Sequence, residues 1–277
     1  MYKTILVHVD DTAGSAQRVD IAARLAIQND AHLVGAAVTG LSAYFFPSAA
    51  LDPAMPAIVF PIDDLRAQAD RALDQFDRQA DQAGVATFER RRIDDEAGSG
   101  ISLHARYCDL VVLGQTDTDA FLPRIRSDFP EYVVLHSARP VLVVPTVGIA
   151  GPLGQRVTVA WNGSSNAVRA ITSAISLLRR ANEVELVVFN AGQSGALHGD
   201  DPGADIAGYL ARYGVRVTVT AANTSDEGEA LLSFAADKGS DLIVMGSYGH
   251  SQFSETLLGG VSRTVLRSSP IPLWLAH

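Results

Sequence analysis

Residues whose types and spacing can hold a phosphate gather near the end of the chain. The apolar run Leu242-Ile243-Val244-Met245 leads straight into Gly246-Ser247-Tyr248-Gly249, and after nine more residues comes Gly259-Gly260-Val261-Ser262. Glycine permits positive φ and lets backbone N–H groups approach an oxyanion with no Cβ in the way. The apolar spacing Val261, Val265, Leu266 predicts a helix starting at Gly260. Its first turn would add unpaired N–H donors and the positive end of the helix dipole, with Ser262 as a cap or a hydroxyl donor. His250, beside Gly249, and Arg263 are placed to screen phosphate charge, while Arg267 reads as a solvated helix residue. Glycine-rich turns are common in α/β proteins, so this loop alone is a weak signal and its meaning depends on its surroundings.

The same unit occurs earlier in the chain without those glycines. Leu110-Val111-Val112-Leu113 runs into Gly114-Gln115-Thr116-Asp117 and then Ser127-Asp128-Phe129-Pro130, and the two segments align without a gap from Asp109/Asp241 to Pro140/Pro272. Asp117 stands for Gly249, Ser127 for Gly259 and Asp128 for Gly260, and Pro130 lacks an N–H. A carboxylate about 4 Å from a phosphate charge costs about 1 kcal/mol in water and about 4 kcal/mol near a protein surface. The first copy is therefore expected not to bind a triphosphate unless a metal ion bridges the like charges.

Other chemistry finds little support. The seven histidines, His8, His32, His104, His136, His198, His250 and His277, are scattered, with no metal-ligand cluster and no nucleophile–base pairing among them. His8, two residues before Asp10, reads as a strand histidine with a local partner. No Lys-Ser/Thr follows the glycines, so the P-loop pattern is absent, and any hydrolysis is expected to be slow. Cys108, the single cysteine, reads as a buried structural thiol.

The 277 residues are 47% apolar and 19% charged, with a formal charge of −9. That balance argues against nucleic acid or an anionic membrane as a general partner, since both are bound through basic surface. The basic cluster Arg90-Arg91-Arg92 reads as a solvated strand end. Ile5-Leu6-Val7 is too brief for a signal-peptide core and no apolar stretch reaches the roughly 20 residues of a membrane span, so a cytoplasmic address is expected.

The elements that must position the loop recur in both halves. Each half opens with a continuous apolar run, Thr4–Val9 and Val157–Trp161, followed by a helix with an apolar stripe. Such runs suggest strands covered on both faces, as in a parallel sheet. Second strands lie near His32–Val38 and Val184–Phe189, and helices near Asp64–Ala83 and Ile206–Tyr213 lead into third strands. Fourth-strand helices cover Gly98–Arg106 and Glu227–Asp237, and the fifth strands are Val141–Val144 and Leu273–Leu275. Five strands and four helices per copy imply an α/β protein with two doubly wound open sheets, each of five mainly parallel strands with helices on both faces. The linker Pro145–Gln155 divides the chain into domains 1–148 and 154–277. The segment Gly40–Asp63, with four prolines and Tyr44-Phe45-Phe46, is long enough to be a lid, a partner surface or a packed loop.

The spacing Gly246-x2-Gly249-x9-Gly259, the opening Ile5-Leu6-Val7-His8-Val9-Asp10, the alanine-rich first helix and Pro140-Val141-Leu142-Val143-Val144 resemble the universal stress protein family over both halves. The resemblance implies a tandem form in which the two copies pack as an internal pseudo-dimer through their fifth strands; it does not decide whether a homodimer forms as well. It also implies ATP or AMP as ligand, with or without Mg²⁺, in the second copy. Carried over by position, the binding residues are Ala160, Asn162, Phe189, Met245, Gly246, Gly249, His250, Gly259, Gly260, Val261 and Ser262. Asn162 stands where the family has an aspartate, and Gly260 where it has a Ser/Thr. The function this implies is a nucleotide-sensing regulator of the stress response. Asn162, Gly260 and the aromatic loop favour an alternative, an interaction scaffold or chaperone-like stress protein that needs no nucleotide and has an unknown protein partner. A nucleotide-hydrolysing enzyme is the weakest reading.

Overall fold

The computed structural model describes residues 1–40, 62–116, 128–149, 151–193, 201–248 and 260–277. Tyr44-Phe45-Phe46, Asp117, Ser127, Gly249, His250 and Gly259 lie outside them. The first repeat runs β1 (Thr4–His8), α1 (Ser15–Asn29), β2 (His32–Val38), α2 (Ile62–Ala83), β3 (Phe88–Ile93), α3 (Ala97–Ala105), β4 (Leu110–Gly114), α4 (Phe129–His136) and β5 (Val141–Val144). The second runs β6 (Arg156–Ala160), α5 (Ser165–Leu178), β7 (Glu183–Phe189), α6 (Ala204–Arg212), β8 (Thr218–Ala222), α7 (Glu227–Asp237), β9 (Leu242–Gly246), α8 (Gly260–Ser268) and β10 (Leu273–Ala276).

The chain folds as two compact units, Met1–Ser137 and Ala138–His277. In the first the strand order is β3-β2-β1-β4, with β1 parallel to both neighbours. In the second it is β5-β10-β9-β6-β7-β8. There β5 pairs antiparallel with β10, Trp274 opposite Leu142, and the pairs from β10 through β8 are parallel. The two fifth strands thus meet as expected, and compactness divides the chain one strand earlier than the repeat does.

Successive residues of the central strands are buried whichever way they point: Ile5, Leu6 and Val7 in β1, Leu110 to Leu113 in β4, and Leu242 to Met245 in β9. Apolar cover lies on both faces of each sheet, which is why these strands read as unbroken apolar runs. Trp274 is fully buried, and its indole N–H donates to Ser173 Oγ at 2.9 Å. Asp109 and Asp241, where the repeat alignment begins, do matching work. Asp109 accepts from the N–H groups of Lys3 and Thr4, and Asp241 from those of Gly154, Gln155 and Arg156. Each carboxylate ties the start of a fourth strand to the start of a first strand.

One expectation needs correction. Arg90-Arg91-Arg92 is solvated as expected, with Arg90 and Arg92 exposed, but it is the body of β3 and not a strand end, in the outer strand of the first unit. Arg90 Nη1 lies 2.6 Å from Asp74 and Arg92 Nη1 2.7 Å from Asp70, both on α2, and Arg91 Nε donates to Glu89 at 2.7 Å. An acidic helix face beside the strand lets three arginines stand in a row without repulsion. Cys108 is buried, with its thiol directed at the His104 carbonyl oxygen.

Candidate functional site

In each unit the strand order reverses beside the first strand of the repeat. From β6 the chain adds β7 and β8 on one side, then places β9 on the other, so the crevice between β6 and β9 is the topological switch point. A ligand of an open parallel sheet sits beyond the strands' carboxyl ends at such a point.

In the second unit the residues around this strand end are tied to one another by backbone packing and hydrogen bonds. Ala160, the last residue of β6, is in register with Met245 of β9 and with Val187 of β7. Beyond it, Asn162 turns its carboxamide oxygen onto the Ser164 N–H at 3.1 Å, and the Ser164 hydroxyl accepts from Ala167 N as the cap of α5. Gly246 is where β9 meets that helix: a Cβ there would lie 2.4 Å from Ala167 N and 2.6 Å from the carbonyl carbon of Asn166. Only glycine admits so close a backbone. The buried Asn166 donates through Nδ2 to the Ser247 carbonyl at 2.6 Å, and its Oδ1 accepts from Arg169. Ser247 in turn bonds through N–H and hydroxyl to the Ala276 carbonyl.

Tyr248 follows in the left-handed region, φ 56°, and its N–H donates to Ser262 Oγ at 3.1 Å. Ser262 is therefore a latch between the residue leaving β9 and the first turn of α8, its hydroxyl oxygen accepting from the Tyr248 N–H. Gly260 opens α8 with none of the described residues within 4 Å of a would-be Cβ, and Val261 is half-buried. The helix has no acidic residue in its first turn. Of the predicted residues, the fold places Ala160 beside Met245, and joins Gly246 and Ser262 through Tyr248. Phe189 ends β7 in register with Ala222 of β8, one strand further out.

The matching crevice of the first unit is filled by the chain itself. Arg18 of α1 is 4% exposed and extends its guanidinium over the β1–β4 switch point, with Nε donating to the His8 carbonyl at 2.7 Å and Nη2 lying 3.0 Å from Asp10 Oδ1. Its Nη1 would lie 2.4 Å from a Cβ on Gly114, the partner of Gly246 in the repeat. One glycine thus makes room for an arginine, the other for a helix. Thr12 donates to the same Asp10 oxygen through N–H and hydroxyl, at 3.1 and 2.5 Å. Phe129, from the first turn of α4, tilts onto the His8 ring with centroids 5.0 Å apart. Asp10 is thus paired with an internal cation.

The electrostatics follow from this packing. Burial alone would raise the Asp10 carboxyl, but Arg18, His8 and the Thr12 bonds outweigh it and hold it at about 2. His8 is lowered to about 4, first by burial and also by Arg18, against the pull of Asp10. The native state therefore keeps His8 neutral where an unfolded chain, titrating near 6.5, binds a proton. This contribution is complete above pH 6.5 and drains away as pH falls toward 4, by about 3 kcal/mol in all. Denaturant midpoints for wild type and His8→Gln between pH 7.5 and 4 are expected to converge or cross in that window; parallel curves would reject a neutral buried His8.

Sequence reasoning missed Arg18, Asn166 and Tyr248. Arg18 had a visible signal, since with Ala22, Leu25 and Asn29 it lies on the buried stripe of α1, where a charge requires a partner. Asn166 and Tyr248 carry no such mark, because their roles depend on strands far away in sequence.

Fold and crevices together define a tandem α/β protein whose two strand ends differ, with the Arg18 guanidinium packed over Gly114 in one and the start of α5 packed against Gly246 in the other. The chain belongs to the universal stress protein family, whose family model matches residues 1–145 and again 154–277. Among solved structures it is similar to a universal stress protein from Archaeoglobus fulgidus, at 18% identity and TM-score 0.74, covering 99% of this chain and 97% of that one. A putative universal stress protein from Pseudomonas aeruginosa UCBPP-PA14 matches at 13% identity and TM-score 0.64, over 99% and 93% of the two chains. A protein of unknown function from Pseudomonas aeruginosa PAO1 matches at 14% and 0.63, over 99% and 92%. No curated protein matches the sequence. No helix among the described residues is long and apolar enough to cross a membrane.

Proposed function

We propose that the second unit binds an adenine nucleotide, ATP or AMP with or without Mg²⁺, at the β6–β9 crevice, and that the protein is a cytoplasmic nucleotide-sensing regulator of the stress response. The observation that carries this reading is the contrast between the two helices that follow the fourth strands. In the second unit α8 starts on Gly260, without an acidic residue in its first turn and with Arg263 and Arg267 along its length. In the first unit α4 has Asp128 at its cap, Pro130 in place of a donor and Glu131 in the first turn. A helix start of the first kind favours a phosphate and one of the second kind repels it. Ala160, Met245 and Phe189 would border the base and ribose, while Gly246, Gly260 and Val261, with Gly249, His250 and Gly259, would offer the phosphate contacts. Asn162 would hydrogen-bond to the nucleoside through its amide group, its oxygen being engaged with Ser164. Ser262 would act by holding the loop, as a positioning residue.

Calorimetry with ATP, with and without Mg²⁺, is expected to give one site per chain. Gly249→Asp, which installs the residue of the first copy, is expected to lower affinity at least about a hundredfold through like-charge repulsion and a lost approach. A wild type that binds neither ATP nor AMP would leave the interaction-scaffold reading in front.

A further inference from the structure

A strand with a neighbour on one side only presents a row of unpaired N–H and C=O groups, and proteins commonly blunt such an edge with charge. In the first unit β3, which pairs with β2, is blunted in this way by Arg90, Arg91 and Arg92. In the second unit β8 has β7 as its one neighbour among the described residues and carries no charge that would blunt it. It reads Thr218-Val219-Thr220-Ala221-Ala222, without charge or proline, and four of its five residues are exposed. Ala222 accepts from Asn190 N–H at 2.9 Å, so its backbone groups face β7. By alternation those of Thr220 and Thr218 do too, and those of Val219 and Ala221 face outward.

We propose that β8 is a homodimerisation edge, two copies of the chain joining by antiparallel β8–β8 pairing about a two-fold axis near Thr220. In that register Val219 of each copy stands opposite Ala221 of the other, and both are residues whose N–H and C=O point outward, so the pairs exchange two hydrogen bonds each. The flanks select a second copy as occupant. Arg212 and Arg216 precede the strand and Asp226, Glu227 and Glu229 follow it, all of them on the surface or half-buried. A two-fold axis brings the basic flank of each copy to the acidic flank of the other, whereas parallel pairing would set like charges together. The interface is separate from the β5–β10 pairing, which lies within one chain, and does not depend on nucleotide.

The test is molar mass by sedimentation and light scattering over a concentration series. Wild type is expected to approach twice its 29.4 kDa. Val219→Pro removes an outward donor from each copy while sparing the β7 ladder, and is expected to weaken the dimer about tenfold or more. Thr220→Cys, placed at the axis, is expected to form an intermolecular disulfide under mild oxidation, and Thr218→Cys, which faces Ala222, is not. The cysteine pair decides the matter if Val219→Pro fails to fold. A wild type that is monomeric throughout overturns the proposal and leaves the edge to a strand of another protein. A dimer insensitive to Val219→Pro with no Thr220→Cys cross-link overturns it as well.

Discussion

Arg18→Ala is expected to destabilise the first unit by about 3–5 kcal/mol, the range for removing one partner of a buried ion pair. The guanidinium satisfies the His8 carbonyl and faces the Asp10 carboxylate, and it fills the volume over Gly114. Without it Asp10 retains the two Thr12 bonds and the His8 ring at 3.6 Å and His8 loses a cation neighbour, so the Asp10 carboxyl should rise toward its ordinary range. Arg18→Lys should recover little, because a point charge on a flexible stem cannot bond the carbonyl and face the carboxylate together. Arg24→Ala, on the exposed side of the same helix with Asp20 as partner, is the control and should change stability by less than about 1 kcal/mol. Hydrogen exchange at β1 and β4 amides measures the loss directly. Both tryptophans, Trp161 and Trp274, lie in the second unit, so fluorescence follows that unit separately. Equal protection of β1 in wild type and Arg18→Ala would mean that the cation is dispensable and the crevice is not held shut by it.

Gly246→Ala carries the second large effect. The added Cβ meets backbone atoms of α5, not a flexible side-chain end, so either the helix start or the end of β9 must shift. Overpacking of this kind costs about 1–3 kcal/mol and more where backbone is the obstacle. The shift also reaches the Asn166–Ser247 bond and, one residue on, the Tyr248–Ser262 latch, so nucleotide affinity should fall with stability. Gly260→Ala is the opposite case. Its Cβ meets none of the described residues within 4 Å, and alanine is favoured over glycine in a helix by about 0.5–1 kcal/mol, so stability should hold or rise slightly. Urea unfolding followed by tryptophan fluorescence reads both variants, and a destabilised Gly260→Ala beside a native-like Gly246→Ala would reverse the assignment of the two glycines.

Most of the architecture was legible because it is written in local pattern. Strands covered on both faces read as unbroken apolar runs, and turns and caps punctuate them. The helix over Glu227–Asp237 is found at its expected limits because Asp226 caps it, accepting from Gly228 and Glu229 N–H. Arg90-Arg91-Arg92 was misread because strand position was inferred from polarity, whereas the neighbouring acidic helix α2 decides what an outer strand can carry. The contact of Ser262 with Tyr248, fourteen residues earlier, is not legible in the sequence, because it depends on where α8 starts relative to the end of β9.

The sequence by itself determined the family, the repeat, the α/β order and the difference between the two glycine segments, since each depends on residue types at short spacing. Tertiary structure alone decided what occupies the two crevices. A glycine after the fourth strand, Gly114 or Gly246, is the same residue in the same local setting. Whether it receives an arginine side chain or a helix backbone depends on which face of the first helix turns toward the sheet and on a charge at one position of that face. Long-range packing sets both, so two copies of one pattern differ in what packs against that glycine, the Arg18 guanidinium in one and the start of α5 in the other.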